Sequence, residues 1–209
     1  MKKISVIATL FLMVFAFTGC GGSSAQQQAQ SPQSNKQESV QNNTNQTPDT
    51  AKKVLIVYYS RSGNTREIAT QIQQKVGGDI LEIKTVKPYP QSYDETTKQA
   101  RQELDSGFKP ELQPININIA QYDTIIIGSP LWWSTVSTPV ISFLTQYDLS
   151  GKTIIPFVTH GGSGIARSVT HIKELCPKAD VKEGIAIRGS NVQNSQNELT
   201  QWLQQLKMI

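Results

Sequence analysis

The chain has 209 residues, of which 37% are hydrophobic and 7% aromatic, which is enough for one ordinary globular domain with some unstructured chain beside it. This length leaves no room for two large domains. The formal net charge is only +4, and the charges are scattered along the chain. A scattered pattern does not favour nucleic-acid binding, and the two histidines with the one cysteine of the globular part, Cys176, form no spacing typical of a metal site.

The first 20 residues have the pattern of an export signal. Lys2 and Lys3 precede a mostly apolar run from Ile4 to Phe17, which is too short to span a bilayer comfortably. The following Thr18-Gly19-Cys20 resembles the lipobox of bacterial lipoproteins, in which the cysteine is acylated. Residues 1–20 are therefore predicted to be a lipoprotein signal, with Cys20 as the lipid anchor that holds the protein to a membrane outside the cytoplasm. The alternative is an ordinary secretory signal with an incidental cysteine.

Residues 21–51 are rich in Gln, Asn, Ser, Thr and Gly, and Val40 is their only branched aliphatic residue before Thr50. Such a segment cannot bury a core, so it is predicted to be a disordered linker. Thirty residues of such coil have a root-mean-square span of about 30 Å. The globular domain is expected to occupy residues 52–209.

Within residues 52–209, apolar runs of strand length alternate five times with segments of helical length. The predicted strands are 54–59, 80–83, 125–127, 153–158 and 181–187, and the predicted helices are 65–76, 93–106, 138–147, 165–175 and 191–207. Continuous β-branched runs are typical of strands buried on both faces. This order predicts an α/β fold with a parallel sheet and helices on both faces. Asn64 or Thr65 is expected to cap the first helix, and Thr138 the helix that begins at Pro139.

In open parallel sheets, ligands bind beyond the carboxyl ends of the strands. The loop after the first predicted strand offers hydroxyls, an amide and a close backbone approach at the start of a helix, and it consists of Ser60, Arg61, Ser62, Gly63, Asn64 and Thr65. A helix N-terminus of this kind suits a phosphate group. The alternative is a polar turn with a good cap. The loop lacks the Gly-Lys-Ser/Thr of triphosphate loops and the glycine pattern of dinucleotide folds.

Two later loops supply aromatic and glycine-rich surfaces. The third predicted strand leads into Ser129, Pro130, Leu131, Trp132, Trp133 and Ser134. Neighbouring tryptophan side chains diverge, so one of them is free to line a cavity and stack on a flat ligand, or both pack against helices. The fourth strand leads into Thr159, His160, Gly161, Gly162, Ser163 and Gly164, whose backbone amides can bond the polar edge of a ring.

Together, Ser-x-Ser-Gly-Asn-Thr, Ser-Pro-Leu-Trp-Trp and Thr-His-Gly-Gly-Ser-Gly resemble the flavodoxin family over residues 52 to about 207. The resemblance implies a doubly wound, five-stranded parallel sheet in the order 2-1-3-4-5 and a non-covalently bound flavin mononucleotide (FMN). It implies that residues 60–65 hold the FMN phosphate, and that residues 129–134 and 159–164 form the two walls around the ring. The implied function is electron transfer or an FMN-dependent oxidoreductase reaction.

This sequence departs from electron-shuttle flavodoxins in two respects, which puts the shuttle role in doubt. The third loop carries His160 where those proteins commonly have a tyrosine, and no Asp or Glu occurs from Thr124 to Tyr147. His160 is either a ring contact and proton donor or a solvated loop residue. His171 is expected to be structural and Cys176 inert.

Several functions remain open at the level of sequence. The electron donor or acceptor is a redox protein or a small molecule such as NAD(P)H or a quinone, and a module that binds FMN without turnover is the alternative. A hydrolase is not supported, because the chain has no Gly-x-Ser-x-Gly nucleophile motif.

Overall fold

The computed structural model describes residues 53–209. The predicted signal, Cys20 and the linker lie outside these residues. Within the described part of the chain, none of the helices combines the length and the apolar character that a bilayer crossing requires.

Strands and helices alternate along the domain. The strands are β1 (Val54–Tyr58), β2 (Asp79–Glu82), β3 (Thr124–Trp132), β4 (Thr135–Val136), β5 (Thr153–His160), β6 (Asp180–Val181) and β7 (Ile185–Arg188). The α-helices are α1 (Asn64–Val76), α2 (Tyr93–Ser106), α3 (Thr138–Gln146), α4 (Ser168–Leu175) and α5 (Gln196–Gln205). Two short 3-10 helices cover Ile119–Gln121 and Gly189–Asn194.

The main sheet is parallel and has the order β2-β1-β3-β5-β6, with β7 also paired to β5. Ile56 of β1 stands beside Ile80 of β2 on one side and Ile126 of β3 on the other. When β6 and β7 are counted as one interrupted fifth strand, this is the predicted order 2-1-3-4-5. The predicted fold class is confirmed.

The two faces of the sheet are covered by different helices, because successive strand residues point to opposite sides. Leu55 and Val57 of β1 belong to one buried cluster, which includes Phe143 of α3 and Ile172 of α4. Ile56 and Tyr58 belong to the other, which includes residues of α1 and α5. The buried, continuously apolar strands explain why their positions were visible in the sequence.

The predicted fifth strand, 181–187, is wrong as one continuous element. Ile154 pairs with Val181, and Phe157 pairs with Ile185. Between these pairs, two residues of β5 stand opposite the three residues 182–184 that separate β6 from β7, as in a β-bulge. The interruption lies opposite Pro156, which has no N–H to donate to a neighbouring strand. Gly184 fits there because a side chain would place Cβ 2.8 Å from the Pro156 carbonyl oxygen.

Several other predicted boundaries are also corrected. The third strand continues through the predicted loop to Trp132 and turns back into β4. Helix α4 begins at Ser168 rather than Ile165, since Ala166 has a φ of 46° that no α-helix accommodates. The predicted helix 191–207 begins as a 3-10 helix and becomes α-helical only at Gln196.

Both predicted caps are shifted by one or two positions. Gly63 is the N-cap of α1 and Ser137 that of α3, and neither makes a side-chain cap. The Ser60 hydroxyl oxygen instead accepts hydrogen bonds from the N–H groups of Gly63 and Arg66, at 3.2 and 3.3 Å. The Thr65 hydroxyl is unavailable as a cap because it is buried against Thr159.

Candidate functional site

A cavity of about 670 Å³ opens at the carboxyl ends of the parallel strands. All three predicted loops reach it. The residues that line it are Arg61, Ser62, Asn64, Tyr93, Thr96, Thr97, Ala100, Pro130, Leu131, Trp132, Trp133, Thr159, His160, Gly161, Arg188, Gly189 and Ser190. The lining contains no carboxylate, and its volume lies within the usual range for a small-molecule site.

The polar end of the cavity is built on the turn between β1 and α1. The two bonds accepted by Ser60 hold this turn in shape, while Ser62 and Asn64 face the cavity. Thr65 shares a 2.8 Å hydrogen bond with Thr159, which ties the helix start to the end of β5. The N-terminus of α1 therefore points its remaining first-turn N–H groups at a cavity without negative charge, an arrangement that suits an anion.

Arg61 leaves this turn toward α2. Its Nε donates to the Thr96 hydroxyl at 3.2 Å and its guanidinium donates to the Gln91 carbonyl oxygen at 2.8 Å. The guanidinium carbon also lies 5.8 Å from the centre of the Tyr93 ring. These contacts make Arg61 part of the wall that joins the polar turn to α2.

One side wall of the cavity is the β-hairpin formed by β3 and β4. Trp132 pairs with Thr135, so Trp133 and Ser134 alone make the turn, and both have positive φ values of 48° and 66°. Two positive φ values are the signature of a type I′ turn, which ordinarily favours Asn and Gly. The Ser134 carbonyl oxygen accepts from the Arg167 N–H at 3.1 Å, which helps to hold the turn.

The two tryptophans of this wall have different surroundings. Trp133 is 49% exposed, donates its indole N–H to the Thr97 carbonyl oxygen at 3.0 Å, and lies 5.2 Å from the Arg101 guanidinium. Trp132 packs edge-on against Tyr59 and Tyr89, with ring centres 5.6 and 4.9 Å away. Both line the cavity, and Trp133 is the more exposed of the two.

Behind Trp132 lies a buried polar cluster. Glu103 is 6% exposed and accepts hydrogen bonds from Tyr89 at 2.6 Å, Thr138 at 2.5 Å and Gln99 at 2.8 Å. Burial, with the bond to Glu103, raises the pKa of Tyr89, and burial raises the pKa of Tyr59 to about 12. Both phenols stay neutral at physiological pH, and the Tyr89 hydroxyl joins α2 and α3 behind the wall through Glu103 and Thr138.

Another wall is the end of β5 and the start of the glycine-rich loop after it. The Gly164 N–H donates to His160 Nδ1 at 3.1 Å, so a neutral His160 ring carries its proton on Nε2. His171 lies away from the cavity lining: its Nδ1 is 2.7 Å from the Thr135 hydroxyl, which joins α4 to the hairpin. Cys176 is buried, and burial raises the pKa of its thiol to about 11.

The other predicted site residues lie next to the cavity without lining it. Ser129 is buried and accepts from the Ser137 N–H at 2.8 Å, which closes the base of the hairpin. Ser60, Gly63, Thr65 and Ser134 shape the turns, and Gly162, Ser163 and Gly164 lie in the loop beyond Gly161.

Comparison with known proteins identifies the family. A family model for flavodoxin matches residues 53–206. The chain belongs to the flavodoxin family. No curated protein matches it.

Solved structures similar to this flavodoxin-family chain include other flavoproteins. A flavoprotein from Lactobacillus acidophilus in complex with FMN is 32% identical, with a TM-score of 0.58, and the match covers 68% of this chain and 97% of that one. A protein from Bacteroides eggerthii, provisionally assigned as a flavoprotein, is 29% identical, with a TM-score of 0.66 and coverage of 73% and 96%.

Two parts of this flavodoxin-family cavity were missed in the sequence. Tyr93, Thr96, Thr97 and Ala100 come from α2, and nothing in their spacing marks them as a wall. Arg188, Gly189 and Ser190 follow the last strand, where the rule that ligands bind at the carboxyl ends of strands could have found them.

A second cavity of about 670 Å³ adjoins the first and shares Arg61 and Ser62 with it. Its lining includes Arg66 and Glu82, which form a salt bridge. The hydrogen bond and charge of Glu82 raise the pKa of Arg66, and the carboxylate lies beside the Arg66 charge in this cavity.

Proposed function

We propose that this flavodoxin-family protein binds FMN non-covalently and acts in electron transfer or as an FMN-dependent oxidoreductase, tethered to a membrane outside the cytoplasm. The observation that carries the proposal is that one cavity is lined both by the N-terminus of α1, which suits an anion, and by the half-exposed ring of Trp133. FMN has a matching shape, a phosphate tail on a flat ring. The cofactor prediction is confirmed by the flavodoxin family model and the FMN complex of the L. acidophilus relative.

The residues of the cavity fit this cofactor chemically. Ser62, Asn64 and the first turn of α1 supply donors for a phosphate, while Leu131 and Trp133 supply apolar and aromatic surface for a ring. The bound cofactor supplies electron-transfer chemistry. This chain's own residues position it, and Trp132 packs against the buried rings of Tyr59 and Tyr89 in one wall.

Binding measurements with FMN and riboflavin test the cofactor. We expect the purified protein to take up FMN stoichiometrically and to bind riboflavin far more weakly, because charge-assisted hydrogen bonds to phosphate are the strong ones at this site. Equal titration curves for the two flavins would contradict the assignment.

We further propose that Cys20 is acylated and anchors the protein. The support is the lipobox-like Thr18-Gly19-Cys20 and the linker composition that follows. Cys20→Ser should release the protein from membranes with its flavin content unchanged. Persistence of the variant in salt-washed membranes would contradict the anchor.

The electron partner is proposed to be a redox protein or a small donor or acceptor such as NAD(P)H or a quinone. A small molecule is supported by two features of the cavity: its lining contains no Asp or Glu, and the Tyr93 and Trp133 side chains in it are exposed. Anaerobic mixing of the FMN-loaded protein with NADH, NADPH and a quinone, followed by absorbance, separates these cases. A protein that no donor reduces, dithionite included, is a binding module without turnover.

A further inference from the structure

A positive charge at the phosphate end of the cavity would strengthen the binding that the N–H groups of the α1 turn provide. A phosphate monoester carries close to two negative charges at neutral pH, and backbone N–H groups contribute only partial charges. Arg61 is the cation of the turn itself, but its guanidinium is bonded to the Thr96 hydroxyl and the Gln91 carbonyl oxygen and lies near Tyr93. Two of its N–H donors therefore already have protein partners on the α2 side.

Arg188 approaches the same region from the last strand. It pairs with His160 across β5 and β7, and it lines the cavity together with Ser62 and Asn64. Its neighbour Gly189 lies directly beside Asn64, since a Cβ on Gly189 would fall 2.6 Å from Asn64 Nδ2. The backbone that carries Arg188 is therefore next to the N-terminus of α1.

The charge environment leaves Arg188 available for a ligand. Among residues 53–209, no carboxylate lies within ion-pairing distance of Arg188, and its guanidinium makes no side-chain hydrogen bond there. Arg66, Arg101 and Arg167 each have a carboxylate partner. Arg188 is exposed and faces a cavity without any acidic residue.

We propose that Arg188 supplies the full positive charge for the phosphate of the bound flavin, while Arg61 positions the α1 turn against α2. This inference rests on the proposed function and names a phosphate-binding residue that lies outside the phosphate loop. An arginine suits this role because its planar guanidinium can donate two parallel hydrogen bonds to a phosphate.

The test is a set of equilibrium titrations of the purified protein with FMN and riboflavin at low salt. Arg188→Gln should raise the Kd for FMN about tenfold and leave that for riboflavin unchanged, because only FMN has the phosphate. Arg188→Lys should recover part of the FMN affinity. Unchanged riboflavin binding also shows that the variants are folded.

Two further variants locate the effect. Arg167→Gln, at an exposed arginine that does not line the cavity, is the matched control and should keep the wild-type preference for FMN. Arg61→Gln should weaken both flavins to a similar degree by loosening α2. Raising the ionic strength should reduce the FMN preference of the wild type and have less effect on Arg188→Gln.

The outcomes separate this inference from the proposed function. A wild-type protein that does not distinguish FMN from riboflavin overturns both. A wild-type preference that survives in Arg188→Gln, or that is lost in Arg61→Gln instead, overturns the inference alone. Loss of riboflavin binding in Arg188→Gln also overturns it, since the residue would then act on the ring or on the fold.

Discussion

Gly128 of β3 pairs with Phe157 on the neighbouring strand, and the phenyl ring lies directly beside it. A Cβ at this position would lie 2.1 Å from the tip of the Phe157 ring, which is fully buried on the neighbouring strand. Gly128→Ala is expected to destabilise the fold by about 1–3 kcal/mol through overpacking. Urea unfolding of Gly128→Ala, Phe157→Leu and the double variant checks this. The double variant should lose less free energy of unfolding than the two single variants lose together. Additive losses would contradict a direct clash.

The buried hydroxyl groups of Thr65 and Thr159 share a hydrogen bond that should stabilise the fold. Thr65→Val removes one partner and leaves the other hydroxyl unsatisfied, which should cost about 1–3 kcal/mol. Thr65→Val with Thr159→Val removes both polar groups and should recover part of that loss. A double-mutant cycle by thermal unfolding measures the coupling, and zero coupling energy would show that the 2.8 Å pair contributes nothing to stability.

At the scale of elements, the hairpin of β3 and β4 holds the aromatic wall in a conformation that L-residues disfavour. Ser134 has a φ of 66° in a two-residue turn, a position that glycine adopts without a steric cost. Ser134→Gly is expected to stabilise the protein by up to about 1 kcal/mol. Chemical denaturation checks this, with Ser163→Gly in the neighbouring loop as the control for a general effect of glycine. A destabilised Ser134→Gly variant would show that the turn is not strained at this residue.

Helix α4 is joined to the same hairpin by His171, whose ring nitrogen lies 2.7 Å from the Thr135 hydroxyl. Burial, with a smaller contribution from Arg167, lowers the pKa of His171 in the folded state. The unfolded protein therefore binds this proton more readily, so the stabilisation is complete above the unfolded pKa of about 6.5 and is lost as pH falls through the folded pKa.

We expect the free energy of unfolding to decrease between about pH 7 and pH 5 in the wild type, and to decrease less in His171→Gln. Urea titrations of both proteins across this range measure the difference. His160→Gln is the control, because it tests whether the other histidine accounts for the pH dependence of the free energy of unfolding. Parallel curves for wild type and His171→Gln would contradict the assignment.

On the scale of the whole molecule, the distribution of charge around the cavity should influence its redox behaviour. The lining has two arginines and no carboxylate, so the field at the site favours an added negative charge. Ser134→Asp should lower the midpoint potential of the FMN-loaded protein relative to Ser134→Asn. Both side chains tolerate a positive φ, so the two variants differ mainly in charge. Equal potentials in a spectroelectrochemical titration would show that this field does not set the value.

The sequence alone determined where the buried strands of this protein lie and where the polar turn after β1 lies, for a physical reason. A parallel strand covered by helices on both faces must be apolar throughout, so β1, β3 and β5 appear as continuous runs. The turn of residues 60–65 is local, since Ser60 bonds to groups only three and six positions away. Features that depend on neighbouring residues in the chain can be predicted from the sequence.

Only the tertiary structure decided which distant side chains complete the cavity. Tyr93 and Arg188 come from a helix and an edge strand that are far apart in sequence, and they meet only because the crossovers bring their ends to the same edge of the sheet. The Trp133-Ser134 turn lacks the usual Asn or Gly signal, so contacts with α2 and α4 must hold it. The break opposite Pro156 likewise depends on which neighbour stands beside that proline, and strand neighbours are settled by packing rather than by local sequence.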